Sequence, residues 1–162
     1  MKNKIILDSK NIHILDNLRK EKKIIMCHGV FDVLHYGHIT HFEDAKKNGD
    51  VLVVSLTDNK FVNKGPDRPL FDTIIRAKSL LALQSVDFVI ISNDYDCINT
   101  LKKIKPNYFV KDIEYSNKNH NSNNTFEKEK KFLKKIKCKL IYTRQKKFSS
   151  SEIIKSKFKG LN

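Results

Sequence analysis

His35 and His38 stand three residues apart in the segment GVFDVLHYGH, residues 29–38. An imidazole can donate N–H hydrogen bonds to phosphate oxygens and can stabilise negative charge. If a helix has begun at this point, side chains three residues apart project to one side of it. Two histidines at this spacing also occur on ordinary surface helices, so the flanking elements decide between a surface pair and a phosphate-binding pair.

Those flanking elements form a strand, a turn and a helix. The apolar run at residues 24–26 predicts a buried strand, and Gly29 then permits a turn or the close approach of a ligand. Apolar residues recur at helical spacing from Ile39, so we expect a helix to begin near Gly37 or His38. The start of a helix carries unpaired N–H groups and partial positive charge. The sequence therefore predicts a polyphosphate site between this strand and this helix.

The same ten residues resemble the signature G-[TCIV]-F-D-x-x-H-x-G-H of the cytidylyltransferase-like nucleotidyltransferases and match every fixed position. The resemblance implies transfer of a nucleoside monophosphate from a nucleoside triphosphate to a phosphorylated acceptor, with release of pyrophosphate. It assigns His35 and His38 to catalysis at the α- and β-phosphates. It also implies Mg²⁺ that bridges phosphate oxygens and takes few protein ligands.

The likeness extends from Lys23 to about Lys155 and includes a late motif of the form R-T-x-G-I-S-T-[TS]. Arg144 stands four residues before Phe148, as the Arg of the family stands before its Ile, and three serines follow Phe148. For Asp32 we favour a buttress of the loop through hydrogen bonds over metal binding. The nucleotide-binding residues implied by the resemblance are Gly29, Val30, Phe31, Asp32, Gly37, Lys111, Arg144, Ser149, Ser150 and Ser151.

A basic loop, residues 60–71, contains one glycine and two prolines, which favours an exposed and movable segment. The resemblance implies that Lys64 of this loop takes a catalytic role at the phosphate of the acceptor, with Lys60 and Lys46 as alternatives. Arg76 could be an ordinary charge on the surface of a helix, but it matches an Arg of the family at the start of this helix, which implies either a phosphate contact or a structural ion pair.

Two different resemblances point to different substrates, so the base of the nucleotide and the identity of the acceptor stay open. The stretches KGPDRP, RAKSLLALQSVDFVI and PNYFVKDIEY resemble the adenylyltransferase domain that activates heptose 1-phosphate. The HYGH form of the signature resembles choline-phosphate, ethanolamine-phosphate and glycerol-phosphate cytidylyltransferases. We prefer CTP narrowly, with ATP and heptose 1-phosphate as the alternative, and the KGPDRP stretch disfavours a flavin or pantetheine adenylyltransferase. The acceptor is expected to be a phosphorylated sugar, polyol or small alcohol, in cell-surface polysaccharide synthesis.

Strand and helix patterns alternate along the chain, which predicts an α/β fold with a doubly wound, parallel, five-stranded sheet of the Rossmann-like kind. We expect one domain over residues 1–162, with an N-terminal helical arm at 1–22 and a mobile loop at 116–125. Ser9 is the predicted cap of the arm's helix, and a final helix is predicted to begin in the serine run after Phe148.

The formal net charge of +14 fits either nucleic acid or small polyanions such as nucleotides. The lysines are not interleaved with aromatic residues as stacking platforms would be, so a nucleic-acid-binding module is the remote alternative. No apolar stretch approaches a membrane span, and we expect a soluble cytoplasmic protein. Three isolated cysteines predict small buried side chains, with neither a disulfide framework nor a metal site. The resemblance alone implies a homodimer.

Overall fold

Six parallel strands form a single sheet in the computed structural model, which describes residues 4–116 and 124–144. Their order across the sheet is β1-β4-β3-β2-β5-β6. The strands are β1 (Ile5–Leu7), β2 (Ile24–Gly29), β3 (Val51–Thr57), β4 (Phe88–Ser92), β5 (Tyr108–Asp112) and β6 (Lys139–Thr143). The helices are α1 (Ile14–Leu18), α2 (Tyr36–Lys46), α3 (Thr73–Ala82), α4 (Ile98–Ile104) and α5 (Asn124–Lys135).

Helices cover both faces of the sheet, as the alternating pattern predicts. All seven residues of β3 are buried, as expected for a central parallel strand that has no solvent-facing side. Phe42 of α2 and Leu80 of α3 pack on one face. Leu15 of α1, together with apolar residues of α4 and α5, packs on the other. The doubly wound architecture is therefore confirmed.

The predicted count of five strands is wrong, because β1 adds a sixth at one edge, where Ile6 pairs with Val89. A three-residue strand is too short to show a period in the sequence. The predicted helical arm is correspondingly shorter, since Asp8 accepts hydrogen bonds from the N–H groups of Lys10 (2.8 Å) and Asn11 (3.1 Å) and forms a turn. Helix α1 begins only at Ile14, and its N-cap is His13, not Ser9.

Two predicted segments fall partly or wholly outside the described residues. Of the loop predicted at 116–125, Ser116 ends a 3₁₀ turn and α5 begins at Asn124, while 117–123 are not described. The final helix predicted after Phe148 also lies outside them. The three cysteines are free and buried, as predicted. Within the described residues, no helix combines the length and the apolar character needed to cross a bilayer.

The position of β2 at the centre of the sheet determines where a site can form. Strand β2 pairs with β3 on one side and with β5 on the other, so the chain order reverses about β2. In open α/β sheets of this kind, ligands bind in the crevice beyond the carboxyl ends of the strands at such a reversal. The turn after β2, residues 30–35, and the start of α2 lie at this crevice.

Candidate active site

A cleft of about 200 Å³ opens at this reversal of strand order. One part of its wall is the turn after β2 and the first turns of α2, another is the end of β5, and Lys64 reaches it from the loop after β3. The residues that line it are His28, Gly29, Val30, Phe31, His35, Gly37, His38, His41, Lys64, Val110, Lys111, Asp112, Glu114 and Tyr115. The structure thus brings both signature histidines and the predicted loop lysine to one cleft.

The rings of His35 and His38 stack with their centroids 3.7 Å apart and an interplanar angle of 22°. His35 is the N-cap of α2, and its extended backbone lets the carbonyl accept from the N–H of His38 at 2.9 Å. The side chain of His35 makes no capping hydrogen bond, and the first turn of α2 carries no acidic residue. This helix start therefore has no carboxylate of its own to compete with a bound anion.

Both stacked imidazoles are neutral near pH 7. Burial lowers the pKa of His35 and is the main cause that lowers the pKa of His38 to about 3. Electrostatic interactions with His35, His41 and Lys64 lower the pKa of His38 further. A neutral imidazole still donates one N–H, and it can gain a proton when a polyanion arrives beside it.

Phe31 positions His38 through ring contacts. Its ring meets the ring of His38 edge to face at 5.3 Å and that of Phe42 at 5.0 Å. A Cβ added to Gly29 would lie 2.9 Å from the Cζ atom of Phe31, so only glycine leaves room for this ring. The close approach predicted at Gly29 is therefore made by a side chain of the signature itself.

Asp32 holds the loop in place through hydrogen bonds, which is the role that the sequence analysis favoured. Its buried carboxylate accepts hydrogen bonds from the Nε of Arg68 (2.8 Å) and from the N–H groups of Leu70 (2.9 Å) and Phe71 (3.0 Å). Burial by itself would raise the pKa of Asp32, but these N–H groups and the guanidinium outweigh it and hold the pKa below its ordinary value. Asp32 thereby ties the basic loop to the signature turn.

Arg76 is buried, and its guanidinium is fully engaged by the protein, so the predicted phosphate contact gives way to a structural role. It donates to the carbonyl oxygens of Val30 (2.5 Å), Thr57 (3.0 Å) and Phe71 (2.9 Å). Its Nη2 also donates to the side chain of Asn59 at 2.6 Å. These bonds join the ends of β2 and β3 to the start of α3.

Two lysines proposed as alternatives to Lys64 lie elsewhere. Lys46, in the last turn of α2, forms an ion pair with Asp87 and does not line the cleft. It is therefore no longer a candidate for the acceptor phosphate. Lys60 lies in a 3₁₀ turn after β3 and is exposed, outside the lining of the cleft.

Lys111 lines the cleft from β5, but its charge is already paired. Its Nζ lies 3.4 Å from Oε2 of Glu129 and about 5 Å from the ring centroid of Tyr115 (4.9 Å). Burial opposes the charged form of Lys111, but Glu129, Cys97 and Tyr115 together outweigh burial and raise the pKa of Lys111. Glu129 was not predicted, because neither of the two glutamates in the lysine-rich α5 gives a signal in the sequence.

Two further histidines of the cleft were also missed. Nδ1 of His28 lies 2.9 Å from the Ser55 hydroxyl, and Nδ1 of His41 lies 2.6 Å from the Thr143 hydroxyl. Burial is the main cause that lowers the pKa of His28 to about 3 and that of His41 to about 4. His41 follows His38 by three residues, so the helical spacing already placed it on the same side of α2.

The predicted arginine and serine contacts to the phosphates are only partly described. Arg144 follows β6 directly and is exposed, at the sheet edge where Thr143 pairs with Asp112. Ser149, Ser150 and Ser151 lie outside the described residues, so their contact with the nucleotide stays a prediction.

The part of the chain that the structure describes offers few candidate ligands for Mg²⁺. Over residues 4–116 and 124–144, no three or more His, Cys, Asp or Glu side chains are grouped so that they could hold a metal ion. Both carboxylate oxygens of Asp32 already accept hydrogen bonds from the loop. The donor set therefore fits an ion carried in on the nucleotide, which stays a prediction.

Together, the sheet order and the histidine-lined cleft define a nucleotidyltransferase of the Rossmann-like type. The family model described as cytidylyltransferase-like matches residues 26–156, and the chain belongs to this family.

Relatives in the family include the bifunctional protein HldE of Campylobacter fetus, 41% identical over 102 residues, or 62% of this chain. HldE of Nitratiruptor is 36% identical over 116 residues, or 70% of this chain. The matched parts make up only 22% and 24% of those two proteins.

Solved structures agree with the fold. The lipopolysaccharide core biosynthesis protein of Thermoplasma volcanium superposes with a TM-score of 0.61 at 27% identity, over 79% of this chain and 99% of that one. Pantoate-beta-alanine ligase of Francisella tularensis, at 19% identity and a TM-score of 0.59, shares the fold alone.

Proposed function

We propose that this chain transfers a nucleotidyl group from a nucleoside triphosphate to a phosphorylated sugar or polyol and releases pyrophosphate. The observation that carries the proposal is the stacked pair His35 and His38 at the start of α2, which faces the same cleft as Lys64. The cleft lies at the reversal of strand order, where this fold class binds nucleotides.

The residues suit a reaction that needs charge control more than a strong base. A phosphate monoester oxygen is already anionic near neutral pH, so it can attack the α-phosphorus without deprotonation by the protein. Negative charge then grows on the oxygens of the α-phosphoryl group and on the departing pyrophosphate. Donors fixed in advance at those positions supply on the order of several kcal/mol. His35, His38 and the N–H groups at the start of α2 are such donors.

Two substrate pairs are supported by different observations. The HYGH form of the signature favours CTP with a polyol or small-alcohol phosphate. The HldE relatives, together with the KGPDRP loop, favour ATP with heptose 1-phosphate at least as strongly. The similarity to a lipopolysaccharide core biosynthesis protein supports a place in cell-surface polysaccharide synthesis. Mg²⁺ on the phosphates, a cytoplasmic location and a homodimer belong to the same proposal.

Pyrophosphate release from the purified chain, measured with Mg²⁺ across four nucleoside triphosphates and a panel of sugar and polyol phosphates, tests the reaction. One nucleotide and one acceptor class should give turnover, and His35→Ala with His38→Ala should lower it by at least about 100-fold. His13→Ala, an exposed histidine at the start of α1, is the matched control and should retain full turnover. If the wild type turns over no pair but both it and the double variant bind polynucleotide equally, a binding module replaces the enzyme.

A further inference from the structure

Arg68 was not among the predicted site residues, yet part of its guanidinium is buried and unused. Its Nε donates to Oδ2 of Asp32 at 2.8 Å, and the side chain is only 13% exposed. Its Nη2 is buried and has no hydrogen-bond partner among the described residues. A buried guanidinium nitrogen without an acceptor is costly, so it calls for an explanation.

The charges around Arg68 are unbalanced. Lys64 and Arg68 lie close enough to interact, and both face Asp32 as their shared carboxylate. Partial burial and then the charge of Arg68 lower the pKa of Lys64, and Asp32 only partly opposes them. Arg76 also interacts with Asp32, which is its largest charge partner, and with the further acids Asp58 and Asp72. Lys64, Arg68 and Arg76 therefore share the carboxylate of Asp32, and positive charge is in excess around it.

The sheet topology indicates which substrate meets this charge. The loop that carries Arg68 follows β3, whereas residues 110–112 and 114–115 line the cleft from the β5 side. The start of α2 lies between these two sides, where the triphosphate is expected. A nucleotide that extends from the start of α2 toward the β5 side would leave the β3 side for the acceptor.

We propose that Arg68 binds the phosphate of the acceptor through its outer guanidinium nitrogens, with Lys64 beside it. This inference rests on the proposed function and adds one binding residue to it. Asp32 holds the Nε edge of the guanidinium and fixes its orientation. Arg68 is not itself among the residues that line the cleft, but it interacts with Lys64, which is, so its opposite edge would meet a phosphate that binds next to Lys64. A planar guanidinium fixed on one edge can take two oxygens of a phosphate dianion in parallel hydrogen bonds.

Arg68→Gln separates this role from a structural one, because the amide nitrogen of Gln falls near the position of the Arg Nε. The variant can keep the hydrogen bond to Asp32 while it loses the outer nitrogens and the charge. We expect the KM for the acceptor to rise about 10- to 100-fold, as for a lost hydrogen bond to a charged group. The KM for the nucleotide should stay unchanged, whereas the Tm should fall, because the ion pair with Asp32 is reduced to a hydrogen bond from a neutral amide. Lys78→Gln, which removes one exposed charge on α3, is the matched control.

Each other outcome overturns the inference. A larger rise in the KM for the nucleotide would assign Arg68 to the triphosphate, and a lower Tm with unchanged KM values would make it purely structural. If the wild type turns over no substrate pair, the proposed function fails, and titration with inorganic phosphate still tests the subsite. Wild-type binding that Arg68→Gln abolishes supports the subsite, whereas equal affinities rule it out.

Discussion

Phe31 meets His38 edge to face, with ring centroids 5.3 Å apart and an interplanar angle of 84°. The backbone of Phe31 lies in the left-handed region, at φ 45°, which is costly for a bulky residue. The surrounding structure holds this conformation because the ring fills the space between His38, Phe42 and Gly29. Strain in the signature turn is thus coupled to the placement of His38.

Phe31→Leu should therefore lower turnover more than it lowers stability. The ring contacts with His38 and Phe42 are lost, so we expect a decrease of about 1–2 kcal/mol in the free energy of unfolding. With His38 no longer held in place, kcat should fall about tenfold or more. Urea denaturation and steady-state kinetics measure both. Tyr95→Leu removes an exposed aromatic ring that packs on Phe61 and should leave kcat intact.

Two glycine substitutions should separate damage to the site from damage to the fold. Gly29→Ala places a Cβ against the ring of Phe31 and should lower kcat/KM about tenfold or more, because the ring must shift from His38. Gly49→Ala places a Cβ 2.7 Å from Cδ1 of Ile25 and 2.9 Å from the carbonyl oxygen of Lys23. It should cost about 1–3 kcal/mol of stability with normal kinetics below the Tm. A lower kcat for Gly49→Ala than for Gly29→Ala would refute this prediction.

Asp32→Asn should release the basic loop without unfolding the sheet. Removal of one partner of a buried ion pair costs about 3–5 kcal/mol, and here the cost falls on residues 64–71. Amide hydrogen exchange of Leu70 and Phe71 should accelerate, since their N–H groups lose a charged acceptor. Asp67→Asn removes the same charge from an exposed position on this loop and should leave the exchange rates unchanged. Equal acceleration in both variants would show that the ion pair does not hold the loop.

The buried histidines make stability depend on pH. In the folded chain the pKa lies near 3 for His28 and His38 and near 4 for His41, all below the ordinary 6.5. The stability that the folded chain has with these histidines neutral is fully present above pH 6.5. It is lost as the pH falls toward the folded-state pKa values, because the histidines of the unfolded chain are protonated first. At pH 5 each of the three histidines lowers the free energy of unfolding by on the order of 2 kcal/mol.

The free energy of unfolding, measured by urea titration between pH 7 and pH 5, should therefore fall steeply. His41→Gln keeps a donor for Thr143 but does not titrate, so its slope should be shallower than that of the wild type. A flat wild-type profile over this range would show that these histidines are not kept neutral by the fold.

Sequence patterns predicted those parts of the site that are formed by residues close to one another in the sequence. The strand, the glycine turn and the helix that carries His35 and His38 all lie within about two dozen residues, and each shows its own signal. The buttress role of Asp32 was favoured, but its partners Leu70 and Phe71 lie 38 and 39 residues away and could not be named.

The misassigned or missed residues depend on distant contacts. Arg76 was left between a phosphate and an ion pair because the carbonyl of Val30, 46 residues away, has no side-chain signature. His41 meets Thr143 across 102 residues, and β1 is too short to show a period. In each case the decisive interaction forms only when separate strands assemble into the sheet.

The three carbonyl contacts of Arg76 join the chain after β2, the end of β3 and the segment before α3 into one unit. None of these segments can shift alone without the loss of a hydrogen bond to a buried cation. The conformational entropy of ordering these three segments is therefore lost during folding, before any ligand reaches the cleft. Val30, which both accepts from Arg76 and lines the cleft, is thus held in place in advance.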